Sequence, residues 1–185
     1  MYPLYVLLTY LLAPIVMIAE GWKALRHAEY RGRLPQRLGF VEPAAGPGTV
    51  WVHAVSVGEV QAAAGLVRAL QRRYPDRPFV VTTVTPTGAA QARKLFGDSV
   101  RQCYLPYDLP GAVRRFLDRV RPDVAIILET EIWPTLYREL GRRGIPLVMA
   151  SARVSERSVS RYRRMAGLFS DTLSHGLLIG AQSAA

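Results

Sequence analysis

Beyond residue 48, short apolar runs alternate with stretches whose apolar residues recur at helical spacing. The apolar runs predict strands at 49–54, 79–84, 101–105, 123–128, 146–150 and 176–180. The stretches between them predict helices at 87–96, 110–120, 133–142 and 159–170, and a first helix on the stripe Val60, Ala63, Ala64, Val67 and Leu70. Strands that alternate with helices of this length predict an α/β fold, in which helices cover both faces of a parallel sheet.

The segment before residue 42 has a different pattern. Tyr2–Ala19 contains no charged residue and, as a helix, would be about 27 Å long. This length approaches that of the hydrocarbon core of a bilayer, which is about 30 Å thick. Pro3 suits the start of such a helix, whereas Pro14 would kink or re-route it. The segment predicts a membrane element, and the sequence leaves open whether it spans the bilayer, lies in one leaflet or is a buried helix of the fold.

Basic residues follow the apolar segment directly, with Trp22 and Tyr30 among them: Lys23, Arg26, Arg31, Arg33 and Arg37. Basic residues beside an apolar segment mark the cytoplasmic side of a membrane, and this run would hold anionic lipid headgroups. We therefore predict a membrane anchor with a basic juxtamembrane helix at 1–41 and a globular domain at 49–185. The globular domain is expected on the cytoplasmic side.

The whole chain is strongly basic, with 24 Lys and Arg residues against 14 Asp and Glu residues and a formal net charge of +10. Such a balance favours partners that carry phosphate or carboxylate groups. Arginine dominates and suits bidentate phosphate recognition, although a compositional bias explains the same excess. The single cysteine, Cys103, excludes an internal disulfide framework and a cysteine-rich zinc site. No RNP-like, helix-turn-helix or zinc-finger pattern occurs, so nucleic acid is not an expected partner.

Ligands of parallel α/β sheets bind at the carboxyl ends of the strands. Five segments follow predicted strands and are rich in polar or turn residues: His53–Glu59, Thr83–Gly88, Pro106–Asp108, Glu129–Pro134 and Ser151–Ser158. The sequence predicts a functional site in these segments. They contain neither a Walker lysine nor a G-x-G-x-x-G pattern, so the sequence does not predict nucleotide binding through either of these motifs.

Glu59 opens the first predicted helix and has two interpretations. Its spacing from Ser56 matches a capping box, in which the carboxylate serves only the helix end. Alternatively, a carboxylate at a strand end that faces a cleft acts as a general base. The helix N-terminus should lower its pKa, so apolar neighbours or a second acid would have to raise that pKa into the range useful to a base. His53, in the same segment, is expected to be structural.

The other segments offer acids, hydroxyl groups and arginines. Glu129 and Glu131 follow a strongly apolar strand, where neighbouring carboxylates would raise each other's pKa; solvated loop carboxylates are the alternative. The Thr-rich turn would suit an anion, although Thr85 or Thr87 could equally cap the next helix. The arginines between residues 153 and 164 would form either a phosphate clamp or a solvated helix face.

Taken in order, these segments resemble the 3-deoxy-D-manno-octulosonic acid (Kdo) transferase family of lipopolysaccharide synthesis. The resemblance covers essentially the whole chain and is carried by Trp51–Glu59, Thr83–Gly88, Tyr104–Pro110, Glu129–Pro134 and Ala152–Ser158, with support from the hydrophobic N-terminus and Arg31–Gly39. The family usually has Asn where this chain has Thr135 and Ser151, so acceptor contacts or loop geometry are expected to differ there.

The resemblance implies a Rossmann-like parallel sheet, the N-terminal half of a GT-B glycosyltransferase. It implies inverting transfer of Kdo from CMP-Kdo to the lipid A precursor (lipid IVA) at the cytoplasmic face of the bacterial inner membrane, with no cofactor and no metal. By the same resemblance, Glu59 is the catalytic base and Glu129 supports a cationic transition state. Further substrate contacts are expected at Ser56, Gly58, Thr85, Thr87, Gly88, Asp108, Glu131, Arg153 and Ser155.

The resemblance is to the N-terminal, acceptor-binding half of the family only. In the family, the second domain binds most of the donor nucleotide. We therefore expect this chain alone to bind membrane, and the acceptor with it, without turning over. Two alternatives stay open: a non-catalytic membrane-binding domain, and another GT-B enzyme that acts on a lipid-linked acceptor.

Overall fold

Helices and strands alternate along the chain in a computed structural model, which describes residues 1–46, 48–129, 131–152 and 177–181. The helices are α1 (Tyr2–Arg26), α2 (Arg33–Arg37), α3 (Val57–Arg73), α4 (Pro86–Phe96), α5 (Pro110–Val120) and α6 (Pro134–Arg142). The strands are β1 (Thr49–His53), β2 (Phe79–Thr83), β3 (Arg101–Tyr104), β4 (Pro122–Leu128), β5 (Leu147–Ala152) and β6 (Leu177–Ala181). The predicted strands are confirmed, and so are the predicted helices except the one at 159–170, which lies outside the described residues.

Within the described residues, the six strands run parallel in one sheet, in the order β3-β2-β1-β4-β5-β6. The chain order reverses at β1, whose neighbours are β2 on one side and β4 on the other. In doubly wound folds such a reversal opens a crevice between the carboxyl ends of the two central strands, and ligands bind there. The order confirms the predicted α/β fold with its Rossmann-like sheet, and it places the crevice between the ends of β1 and β4.

Helices cover both faces of the sheet because successive strand side chains point into two separate apolar cores. On one face, Trp51 of β1 packs in a cluster with Phe116 of α5 and Tyr137 of α6. On the other face, Val52 of β1 belongs to a cluster with Val60 of α3 and with residues of α4. With both faces apolar and covered, polar groups of the central strands can reach a ligand only at the strand ends.

Helix α1 lies against this domain along one side. It begins with Pro3 in its first turn, as predicted, and continues as a helix through Pro14. None of its residues is buried, and its outer side exposes large apolar side chains such as Leu7, Leu11 and Ile18. It is the one helix in the described part of the chain that is long and apolar enough to cross a membrane. A helix that buries no side chain is not a core helix, which removes that alternative.

Two of the five basic residues predicted to hold lipid headgroups are buried inside the protein. Arg33 and Arg37 of α2 are only 5% and 6% exposed. Arg33 donates a hydrogen bond of 2.6 Å to the carbonyl oxygen of Val84, and Arg37 donates one to the carbonyl oxygen of Leu105. The headgroup prediction is wrong for these two residues, because hydrogen bonds to carbonyl oxygens after β2 and β3 hold their guanidinium groups inside the fold.

Candidate functional site at the carboxyl ends of β1 and β4

Glu59 lies in the first turn of α3, directly after β1. Ser56 is the N-cap residue, and its hydroxyl group donates a hydrogen bond of 3.0 Å to Glu59 Oε1. Glu59 Oε2 accepts a hydrogen bond of 2.7 Å from the backbone N–H of Val55. The carboxylate thus reaches back over the helix start, as in a capping box, but the Ser56 hydroxyl accepts no backbone N–H. Only half of the capping interpretation is therefore met.

Partial burial controls the protonation of Glu59. Burial raises the pKa of its carboxyl group, hydrogen bonds from Val55 and Ser56 lower it, and the negative charge of Glu129 raises it again. The net result is a pKa above the ordinary value for glutamate. The sequence interpretation required apolar surroundings or a second acid for such a shift, and the structure supplies both, with burial as the larger cause.

Glu129 follows β4 on the opposite side of the crevice. Its backbone N–H donates a hydrogen bond of 2.9 Å to the carbonyl oxygen of Ala150 on β5, and its side chain is exposed. Its φ of +61° lies in the left-handed region, which is unfavourable for a residue with a Cβ atom. Ser151, on the neighbouring strand, has a φ of +58°. Two strained residues at one edge of the sheet are characteristic of a functional site.

Glu131 completes a set of three acids at this edge. Burial raises the pKa of its carboxyl group, and the charges of Glu59 and Glu129 raise it further. The three groups are therefore close enough to interact electrostatically, although two follow β4 and one follows β1. Glu59 also keeps its bonds to its own helix start. That Glu59 and Glu129 face one open crevice stays a prediction.

The Thr-rich turn after β2 contacts the turn that carries Glu59. The backbone N–H groups of Val84 and Thr85 donate to the carbonyl oxygen of Val55 at 3.2 and 3.3 Å. Thr85 caps α4, because its hydroxyl oxygen accepts a 3.0 Å hydrogen bond from Gly88. A Cβ atom on Gly88 would lie 2.9 Å from Thr85 Oγ1 and 3.2 Å from Val55 O, so this close approach favours glycine. Thr87 is exposed and bonds to Thr85, and anion binding by this turn stays a prediction.

Asp108, after β3, has a different set of partners. Its Oδ2 accepts hydrogen bonds from the Tyr5 hydroxyl at 2.7 Å and from the Thr135 backbone N–H at 2.8 Å. Its Oδ1 accepts a third bond, from the backbone N–H of Leu136 at 2.8 Å. The side chain thereby caps α6 from a distance and ties α1 to the sheet domain. These hydrogen bonds give Asp108 a structural role. Substrate binding by Asp108 stays an untested prediction.

The other predicted site residues divide into three cases. His53 is fully buried with Nδ1 2.8 Å from Thr82 Oγ1, and burial lowers its pKa to about 3, so it is neutral and structural as expected. Gly58 is exposed beside Glu59. Arg153 and Ser155, with the rest of the arginine cluster, lie outside the described residues.

Two residues that organise this edge of the sheet carry no sequence signal for that role. Arg33 binds the carbonyl oxygen of Val84, next to the Thr-rich turn, across a separation of 51 residues. Tyr5 binds Asp108 across 103 residues. Spacing rules describe residues within one helix or one strand, so they do not reveal partners at such separations.

The acids at the crevice suit proton abstraction beside a developing positive charge. A carboxylate with a raised pKa is a stronger base than an ordinary glutamate. A second carboxylate close by stabilises a cationic centre. In the ranges that the structure describes, no cluster of three or more His, Cys, Asp or Glu side chains is arranged to hold a metal ion.

Comparison with known proteins places residues 32–185 within the family model described as 3-deoxy-D-manno-octulosonic-acid transferase (kdotransferase). The 3-deoxy-D-manno-octulosonic acid transferase of Haemophilus influenzae is 42% identical over 180 residues, which are 96% of this chain and 42% of that protein. The transferase of Bordetella pertussis is 39% identical over 90% of this chain and 40% of its own length. A probable mitochondrial transferase of Arabidopsis thaliana is 34% identical over 87% of this chain and 36% of its own length. The chain thus spans about two fifths of these relatives.

Proposed function

We propose that this chain, which belongs to the 3-deoxy-D-manno-octulosonic acid (Kdo) transferase family, is the acceptor-binding half of a glycosyltransferase. The donor is CMP-Kdo, held mainly by the other half of the intact protein, and the acceptor is the lipid A precursor (lipid IVA). The family match and the acids at the crevice support this proposal. The division into an anchor at 1–41 and a Rossmann-like domain at 49–185 is part of it.

In the proposed reaction, Glu59 takes the proton of an acceptor sugar hydroxyl group. The hydroxyl oxygen forms a bond to the anomeric carbon of Kdo, while the bond from that carbon to a CMP phosphate oxygen breaks with its electron pair. CMP leaves, and the single displacement inverts the anomeric configuration. The raised pKa of Glu59 supports the base role, because a stronger base takes up the proton more readily. The proton then passes from Glu59 to solvent, and no cofactor or metal takes part.

Glu129 has the supporting role in this proposal. Departure of CMP leaves positive charge on the anomeric carbon, and a carboxylate held nearby stabilises that charge. The left-handed backbone of Glu129 supports the assignment, since strained residues at the end of a strand are characteristic of functional sites. Glu131, Ser56, Gly58 and the Thr-rich turn surround the same edge and are proposed to contact the acceptor.

One observation carries the proposal most directly. The acids after β1 and β4 interact with each other at the point where the strand order of the sheet reverses. This is the place where doubly wound sheets bind their ligands. Capping alone would explain the position of Glu59, but it would not explain a second and a third carboxyl group brought to the same place.

The proposal also places the protein on a membrane, at the cytoplasmic face of the bacterial inner membrane. The apolar outer side of α1 supports this location, and so do the exposed basic residues Lys23, Arg26 and Arg31 at its end. Arg26 stacks 4.4 Å above the ring of Trp22, an exposed aromatic residue of the kind that lies at lipid headgroups.

The test is Glu59→Gln in the intact protein that contains this chain, with CMP release from CMP-Kdo as the measurement. Glutamine keeps an oxygen that can accept the Val55 N–H, so the helix start is preserved while the base is lost. We expect the rate of the chemical step to fall by about 10²-fold or more, the usual contribution of a general base.

The matched control is Glu42→Gln, an exposed acid outside the crevice, which should leave the rate unchanged. Full activity of folded Glu59→Gln would reduce Glu59 to a helix cap. Failure of the wild-type intact protein to release CMP in the presence of the acceptor would refute the proposed function as a whole.

A further inference from the structure

A narrow groove separates α1 from the carboxyl end of the sheet. It has a volume of about 180 Å³. One wall is formed by α1, including Leu12, Ala13 and Val16, and the opposite wall by residues 107–109 and Trp133. Trp133 directly precedes α6 and lies two positions after Glu131 in the chain. The groove therefore runs beside the same edge of the sheet that carries the acids.

The side chains of Tyr5, Asp108 and Thr9, which line the groove, are already paired within the chain. The Tyr5 hydroxyl donates to Asp108, whose carboxylate oxygens also accept the bonds from the start of α6. The hydroxyl group of Thr9 donates to the carbonyl oxygen of Val6 at 2.8 Å. The lining therefore presents a mainly apolar surface to a ligand, and this surface suits an apolar, unbranched group.

The mouth of the groove is continuous with the apolar outer side of α1. Leu12 and Val16 line the groove and are nevertheless 54% and 39% exposed. The outer side itself, with exposed residues such as Leu11 and Ile15, has no partner among the described residues and suits the acyl region of a lipid layer. A hydrocarbon chain can thus pass from that layer into the groove without crossing a polar surface.

The contacts of α1 require it to lie along the membrane surface. In its first turn, the Tyr2 ring lies 4.6 Å from the guanidinium carbon of Arg138. Near its other end, the Glu20 carboxylate lies 3.4 Å from a guanidinium nitrogen of Arg33. If α1 crossed the bilayer in this arrangement, the charged partners would enter the hydrocarbon core, where charged side chains are strongly unfavourable. A helix in the interfacial plane keeps these partners on the aqueous side.

From this geometry we propose that the groove between α1 and residues 107–109 and Trp133 binds one acyl chain of the lipid-linked sugar acceptor. The inference rests on the proposed function for the identity of the acceptor. The chain enters past Leu12 and Val16, and its sugar headgroup is then directed towards the crevice between β1 and β4. The groove thereby selects acceptors that carry an acyl chain over free sugars.

A groove-filling variant tests the proposal by kinetics in the intact protein. Ala13→Phe places a ring in the groove, while Ala19→Phe makes the same change at an exposed position of α1 that does not line it. We expect Ala13→Phe to raise KM for an acylated glucosamine disaccharide about tenfold, the effect of losing about two buried methylene groups. The KM for the deacylated disaccharide and co-sedimentation with anionic phospholipid vesicles should stay unchanged, and Ala19→Phe should match the wild type.

Equal KM values for Ala13→Phe and wild type with the acylated acceptor would overturn the groove assignment while leaving the transferase proposal intact. Absence of transfer by the wild type would instead refute the transferase proposal, and a binding experiment then decides the groove by itself. In that experiment the vesicle-bound intact protein is irradiated with an acylated disaccharide that carries a diazirine in its acyl chain. We expect labelling at Leu12, Val16 or Trp133 that Ala13→Phe abolishes and Ala19→Phe retains.

Photoactivatable phosphatidylcholine is the second arm of the labelling experiment. If it labels the groove residues as efficiently as the acylated disaccharide does, the groove holds bulk phospholipid and the assignment to the acceptor is wrong. Labelling confined to the outer side of α1, at residues such as Leu11 and Ile15, would likewise overturn the proposal.

Discussion

The turn after β1 and the turn after β3 both place an acid at the same edge of the sheet, and the two acids have very different surroundings. Asp108 is 8% exposed, and its two oxygens accept three hydrogen bonds from α1 and from the start of α6. Glu59 is half-buried, bonds to the start of its own helix, and interacts with Glu129 across the crevice. Position at a strand end therefore does not distinguish a structural acid from a reactive one.

What distinguishes the two acids is the origin of their partners. The bonds of Asp108 come from two distant elements and fix their positions, so that its contribution is to stability. The bonds of Glu59 come from the four residues before it, and its remaining influence comes from other carboxylates. Burial raises the pKa of both groups above their ordinary values, so a raised pKa alone does not separate the two roles either.

The largest effect that separates the two turns is expected for Asp108→Ala. Two backbone N–H groups at the start of α6 and the Tyr5 hydroxyl would lose their acceptor in a buried place. Hydrogen bonds to charged groups contribute about 1.5–3 kcal/mol each and are not additive, so we expect the free energy of unfolding to fall by about 3 kcal/mol. Urea denaturation measures this change.

Asp118→Ala is the control, because Asp118 is an exposed acid of α5 paired with Arg143 at 2.8 Å, and such surface pairs contribute less than about 1 kcal/mol. If Asp108→Ala were as stable as that control, Asp108 would be free for the substrate contact that the sequence predicted.

A smaller change in stability is expected for Glu59→Ala. The variant loses the bonds to Val55 and Ser56, which cost about 1 kcal/mol for a helix cap. Removing a half-buried carboxylate near Glu129 offsets part of that loss. Urea denaturation of Glu59→Ala should therefore give a decrease of about 1 kcal/mol or less, together with the large loss of rate proposed above. A decrease as large as that of Asp108→Ala would make the two turns equivalent.

The smallest effect is expected in the pH dependence of Glu129→Gln. The negative charge of Glu129 helps to raise the pKa of Glu59, so its removal lowers that pKa. Glu59 is then ionised at lower pH, and the acid limb of the rate profile of the intact protein should move to lower pH. An acid limb that stayed in place, or moved to higher pH, would show that Glu59 and Glu129 do not share one site.

Comparison of the two turns also explains how far the sequence could predict the site. Glu59 stood out because a capping-box spacing and a strand end coincide within seven residues, and both are local patterns. Its competing interpretations could not be separated, since they differ only in what lies across the crevice. The same limit applied to Arg33 and Arg37, whose spacing matches a lipid-binding run although their partners are carbonyl oxygens inside the fold.

The sequence by itself determined the strands, the described helices of the sheet domain, the α/β class and the apolar character of α1. Each of these follows from the alternation of apolar and polar side chains over a few neighbouring residues. The tertiary structure alone decided that β1 lies between β2 and β4, that Glu59, Glu129 and Glu131 interact, and that Asp108 joins α1 to α6. These contacts join residues that are far apart in the chain. They depend on burial and on the pairing of strands across the sheet, and no local pattern of side chains predicts either of these.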